Sequence, residues 1–247
     1  AAGHLQARFG VLPERLHVGG LWALDRDRFR RATLDENQRA RARYGIRADD
    51  LVIMNVRRFF PAWGSDVALE AFVRVARERR EAHFVLLGGA GTEALIAAAR
   101  ERLEQDGLSP RFTLFDGDLP IAECSALMSI ADIYVSLMRE IDMRPLAAIL
   151  EAACAGGAPV FGVQPEYRAM ERLGFSAIFV PPGDAGSAAA AIERYASDPA
   201  LRRQAAERNA RYLHEHEDGV AQAQALLSAV RALRGANGRS QHAASRD

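Results

Sequence analysis

Arginines in the loops that follow short apolar runs are the residues here with the plainest chemistry. Arg58 stands in "VRRFFPAWG", just after the run Leu51–Val56 and ahead of a helical stretch. Arg139 and Arg144 stand in "MREIDMRP", in the same relation to Ile133–Ser136. A guanidinium holds two phosphate oxygens at once, and the free N–H groups of a helix start add partial positive charge. Pro145 suits a first helical position, so the amides of Leu146 and Ala147 would face an anion. For Arg58 the plainer alternative is a loop arginine that pairs with a local carboxylate. Glu151 lies in "ILEAACAGG", a helical segment otherwise so apolar that an ordinary solvated face explains it poorly.

The remaining candidates are glycines and turn residues. Gly88, Gly89 and Gly91 close the run His83–Leu87, where they permit close backbone approach to a ligand or simply a tight turn. Gly117 and Asp118 either border a ligand or form a plain turn. Glu166 in "VQPEY" is either a ligand-facing residue or a helix-start carboxylate. His214 and His216 in "HEHE" are two apart, so a helix points them to different sides and they make no metal pair.

These loops need a frame. The β-prone runs are Leu51–Val56, His83–Leu87, Arg111–Phe115, Ile133–Ser136, Pro159–Gly162 and Ala177–Val180. Helical periodicity separates them over about Ser65–Arg79, Thr92–Gln105, Ile121–Ile130, Pro145–Ala155, Glu166–Leu173 and Ala185–Ala196. That alternation predicts an α/β fold, a doubly wound parallel sheet of about six strands, Rossmann-like, with helices on both faces. Ligands of such sheets bind outside the strands' carboxyl ends, which is where the arginine and glycine loops fall. Arg26–Tyr44 reads as a charged helix, and Pro199–Leu213 and Gly219–Leu233 as two closing helices. The expected division is a leading segment and linker over 1–48, a nucleotide-binding domain over 49–198, closing helices over 199–234 and a disordered tail over 235–247.

Composition narrows the function classes. The 247 residues are 49% hydrophobic and 26% charged, enough for a substantial core without disulfides or metals. Net charge is zero, which argues against a general nucleic-acid grip. Every Lys/Arg position is Arg, and with the abundant Ala this suggests a GC-rich bacterial genome. Cys124 and Cys154 read as buried thiols in a reducing compartment. No apolar run approaches a membrane span, and no signal peptide opens the chain.

The order of motifs resembles the family 4 glycosyltransferases of the GT-B architecture. The resemblance runs from "RFGVLPERLHVGGLWALDRDRF" through "RARYGIRADDLVIMNVRRFFPAWG", "HFVLLGGAG" and "FTLFDGDLPIAECSALMSIADIYVSLM" to "PLAAILEAACAGGAPVFGVQPEY" and the closing helices. It implies two Rossmann-like lobes across a cleft, the first holding the acceptor and the second a nucleoside-diphosphate sugar. This chain resembles the second lobe, preceded by a remnant of the first. Arg58 matches the family's phosphate arginine, Glu151 the glutamate that bonds the ribose, Gly117 the region that meets the base, and Glu166 a glutamate near the sugar. Three positions depart from the pattern: the family lysine falls on Trp63, the glycine that usually precedes the arginine is Arg57, and the family's earlier glutamate, eight positions before Glu151, falls on Met143. Arg144, with Arg139, is the replacement for the missing cation. No metal or other cofactor is expected.

The resemblance therefore implies a hexosyltransferase in polysaccharide or glycolipid synthesis, inactive as this half alone. Its partners would be the nucleotide-sugar donor, the absent acceptor lobe and a lipid-linked acceptor, at the cytoplasmic face of a membrane. Two other readings compete. One is a degenerate, non-catalytic lobe that serves as a binding module. The other is a dinucleotide enzyme, against which stands the lack of a complete Gly-x-Gly-x-x-Gly after the first strand.

Overall fold

The structure is a computed structural model and describes residues 7–10, 24–56, 58–87, 89, 92–115, 117–139, 147–163, 165–217 and 219–244. Its strands are β1 (Leu51–Val56), β2 (Ala82–Leu87), β3 (Phe112–Phe115), β4 (Ile133–Ser136), β5 (Ala158–Gly162) and β6 (Ile178–Val180). They form one parallel sheet in the order β3-β2-β1-β4-β5-β6. The intervening helices are α1 (Leu34–Arg43), α2 (Ser65–Glu78), α3 (Glu93–Gln105), α4 (Ile121–Ile130), α5 (Ala147–Cys154), α6 (Pro165–Arg172) and α7 (Ala185–Ser197). Then come α8 (Pro199–His216) and α9 (Gly219–Ala244). The doubly wound sheet expected from the sequence is therefore present.

Successive strand residues point to opposite faces, and both faces are covered. Ile53, Phe84, Val135 and Val160 pack against Phe72 of α2 and Ile192 of α7. Val52, Met54 and Val85 pack on the other side against Leu127 and Ile130 of α4 and against Phe29. Helix α2 shows why its sequence is helical. Its solvent-facing residues Asp66, Arg74 and Arg77 follow one stripe, with Glu70 half-buried between them. The rest of its surface, from Val67 to Ala76, is buried apolar side chains. Burying a side chain the size of Phe72 contributes roughly 1.5–3 kcal/mol.

The chain divides into two compact units, Asp25–Leu213 and a second formed by Ala1–Leu24 with His214–Asp247. The boundaries expected after 48 and 198 thus fall inside the first unit. The reason is burial: Phe29 and Ile46 enter the core ahead of β1, and Tyr212 and Leu213 are buried at the end of the unit. The helix expected from Arg26 begins only at Leu34. Thr33 caps it reciprocally with Glu36, the Thr33 N–H donating to Glu36 Oε2 at 2.8 Å. Strand β3 starts one residue late because Ser109–Arg111, with Pro110, forms a 3-10 turn. Beyond Leu233, helix α9 continues to Ala244 where the composition predicts no regular structure. That stretch lacks proline, and its two glycines cost only about 1 kcal/mol each in a helix. Among the described residues, no helix is long and apolar enough to cross a membrane.

Candidate active site

The sheet order reverses between β1 and β4, and there the two strands part. Their ladder pairs Ile53 with Ile133 and Met54 with Tyr134. One residue further, the Asn55 side-chain amide donates to the Val135 carbonyl at 2.8 Å. Among the described residues, Asn55 Oδ1 and, at the end of β4, Ser136 Oγ are buried without a hydrogen-bond partner. A crevice at such a reversal is the ordinary ligand position of an open parallel sheet.

The loop after β1 is held tightly. Ser65, buried at the start of α2, donates its hydroxyl to the Arg58 carbonyl at 2.9 Å, and the Phe60 N–H donates to the same oxygen at 2.8 Å. Pro61–Trp63 forms a 3-10 turn, closed by Gly64 in the left-handed region at φ +69°. A Cβ on Gly64 would stand 1.8 Å from the Leu137 carbonyl oxygen, so backbone meets backbone at this position. Sequence reasoning missed Gly64; its signal is the Gly-Ser-Asp run where a turn becomes a helix.

Arg139 reaches this loop from beyond β4. Its N–H donates to Ala62 O at 3.2 Å and its Nη1 to Pro61 O at 3.4 Å. Its Nη2 pairs with Asp66 in the first turn of α2 at 2.8 Å. Arg139 is thus bound to the β1 loop and to a carboxylate of α2. Arg144 lies outside the described residues, as do Glu140, Asp142 and Met143. Trp63 is partly buried, in keeping with packing.

A cavity of about 300 Å³ opens outside the carboxyl ends of β1, β2 and β3. Val56, Arg58, Leu87, Gly117, Asp118, Leu119 and Cys124 line it. Arg58 and Gly117 are thereby brought together. Gly89 lies buried beneath Arg58, its position for a Cβ only 2.9 Å from Arg58 Cγ. Glu151 belongs to the same neighbourhood: its charge, after burial, helps push the Cys124 thiol up to about 11. Burial also raises the Glu151 carboxyl above the ordinary glutamate range. Among the described residues its carboxylate has no hydrogen-bond or ion-pair partner, an unfavourable state for a half-buried acid. Glu166 falls in the first turn of α6, at the far end of the β5 loop. Cys124 and Cys154 are both free, and burial pushes Cys154 up to about 11 as well.

Chemically, the arrangement offers a guanidinium at the mouth, backbone at two glycines and an acceptor-only carboxylate. That combination suits an anionic ligand carrying hydroxyl groups. The family model described as Glycosyl transferases group 1 matches residues 36–212. The fold is similar to a glycosyltransferase from Rickettsia africae, with TM-score 0.77, 16% identity, and coverage of 92% of this chain and 59% of that one. It is similar to sucrose-phosphate synthase from Thermosynechococcus elongatus, with TM-score 0.71, 21% identity, and coverage of 87% and 52%. HepE from Anabaena, solved in complex with UDP and glucose, gives TM-score 0.72, 16% identity, and coverage of 85% and 55%. The chain thus spans little more than half the length of these structures. No curated protein matches it.

Proposed function

The chain belongs to the glycosyl transferases of group 1, with the fold of the GT-B architecture, and from that premise we propose that Asp25–Leu213 is a nucleotide-sugar donor lobe. It would serve transfer of a hexosyl group from a nucleoside-diphosphate sugar to an acceptor held by a second lobe of the longer protein. The acceptor would be a growing polysaccharide or a lipid-linked sugar at the cytoplasmic face of a membrane. The carrying observation is the cavity that Arg58 and Gly117 line, with the Glu151 carboxylate, which has no partner among the described residues, close to its Cys124 wall.

In this reading each group has one task. The bond to the sugar breaks with negative charge gathering on the diphosphate, and Arg58 is a charge already in place to meet it. Arg144 supplies a second cation in place of the one absent at Trp63. Glu151 accepts hydrogen bonds from the ribose hydroxyls, which gives its buried charge the donors it lacks in the protein. The glycine backbone at Gly117 lets the base approach, and Glu166 lies toward the sugar. Arg139 acts through the loop it fastens. The reading needs no metal or other cofactor. HepE with bound UDP supports the donor class, and by itself says nothing of the base used here.

The test is calorimetry of the purified chain against UDP, GDP and ADP. One of them should bind and raise the melting temperature by mass action. Arg58→Ala should weaken that binding about tenfold or more, the usual effect of losing a charged hydrogen bond. No binding of any of the three by a folded chain would sink the donor-lobe reading and favour a degenerate lobe. Incubated with a nucleotide sugar, the chain by itself should transfer nothing.

A further inference from the structure

Gly89 is a glycine that the backbone does not require. Its φ lies outside the left-handed region, unlike Gly64 or Gly183, so any residue could adopt its conformation. What forbids a side chain is the space above it. A Cβ there would lie 2.9 Å from Arg58 Cγ and 3.5 Å from Arg58 Nε, with Asp118 Oδ1 at 3.4 Å. The arginine therefore lies along the bare glycine backbone on its way into the cavity.

Neither side of this contact can yield cheaply. The Gly89 N–H donates to Thr92 Oγ1 at 3.1 Å, and its carbonyl accepts from the same hydroxyl at 2.6 Å and from the Thr92 N–H at 3.2 Å. Thr92 is itself buried. On the other side, the Arg58 carbonyl is fixed by Ser65 and Phe60. Cγ is the second carbon of the side chain, not its flexible end. Moving it means turning χ1, and that swings the whole guanidinium.

We propose that Gly89 is a positioning residue: the missing side chain determines where the Arg58 guanidinium meets the ligand's phosphates. This rests on the donor-lobe reading, because it acts only through Arg58. It differs from direct approach of the Gly89 backbone to the donor, and from a turn that needs glycine for its geometry.

The experiment is a double-mutant cycle. Affinity for UDP, GDP and ADP is measured by calorimetry on the wild type, Gly89→Ala, Arg58→Ala and the double variant, with melting temperature recorded for each. Gly89→Ala should weaken the bound nucleotide about tenfold, and the double variant should bind no more weakly than Arg58→Ala alone. Wild-type affinity in Gly89→Ala would overturn the proposal. So would a Gly89→Ala loss that persists at full size without Arg58, since the methyl would then be obstructing the ligand itself. If Gly89→Ala does not fold, a double variant that folds supports the proposal, because removing Arg58 removes the clash. A double variant that also fails to fold overturns it. If Arg58→Ala leaves binding unchanged, the phosphate role of Arg58 falls and the proposal with it. Failure of the cycle with Arg58 still important would leave the donor-lobe reading standing.

Discussion

The two ends of the sheet hold their polar groups differently. At the amino ends several charges are bonded more than once, although among the described residues Glu193 Oε1, whose other oxygen pairs with Arg79, is buried without a partner. Asp132, just before β4, accepts the Val52 N–H at 3.0 Å and the Arg31 guanidinium at 2.9 Å, with Arg41 at 3.7 Å. Buried Arg41 also donates to the Asn37 side chain and to the Arg47 and Asp50 carbonyls, each within 2.8 Å. His83 meets the Thr113 hydroxyl at 2.8 Å, and burial holds its ring below the ordinary histidine range. At the carboxyl ends, Asn55 Oδ1 and Ser136 Oγ are buried without partners among the described residues, and Glu151 is half-buried without one among them. Bonded polar groups lock strands together, whereas an unbonded buried one costs stability. The contrast fits the proposed site at the carboxyl ends, where open parallel sheets bind their ligands.

The comparison can be broken most severely at Gly64, which belongs to the site end and is nonetheless framework. Gly64→Ala combines left-handed strain with a methyl forced against the Leu137 carbonyl. It should cost about 4 kcal/mol in urea unfolding, the sum of such strain and overpacking. A loss under about 1 kcal/mol, the size of an ordinary Gly change, would show that the two loops are not held in contact.

Asp132→Ala tests the opposite end. It leaves Arg41 buried with one carboxylate fewer and removes an acceptor from the start of β1. The expected cost is about 3 kcal/mol, the lower range for breaking a buried ion pair. Nucleotide affinity of the folded fraction should stay at the wild-type value. A large affinity loss would erase the division between scaffold and site.

Glu151→Gln should have the smallest effect on stability, and in the other direction. Burial raises the folded carboxyl above its unfolded value, so the charged form is disfavoured in the fold. The wild type is therefore unburdened below the ordinary glutamate range and loses stability as pH rises through the raised folded value. Gln carries no such charge. Its melting temperature should exceed the wild type's at pH 7 and converge with it as pH falls below the ordinary glutamate range. Binding of the nucleotide should weaken at the same time. A Gln variant less stable at pH 7 would mean that the carboxylate has protein partners after all.

Much of this was legible in the residue order. The apolar runs are short and continuous because helices cover both faces, and that pattern alone gave six strands and their helices to within a residue or two. Arg58 was identifiable because loops after parallel strands face the ligand crevice. The meaning of the glycines was not. Gly64 and Gly89 look alike in a string of letters, yet one answers a backbone angle and a facing carbonyl and the other a neighbouring arginine. Arg139 and Asp66 are far apart in sequence, and nothing local announces that they pair. The length of α1 was misread because its charges suit a helix throughout, whereas burial of Phe29 and the Thr33 cap decide its start.

The sequence by itself determined the doubly wound sheet and the residue types offered in the loops at the carboxyl ends of its strands, since periodicity and loop composition are local properties. Only the tertiary structure decided which of those residues share a cavity. It set Gly117 beside Arg58, laid Arg58 over Gly89, and half-buried Glu151 near Cys124 with no hydrogen-bond or ion-pair partner among the described residues. These are distances between loops of different strands, and they are fixed by how the strands are ordered and how the helices pack on them.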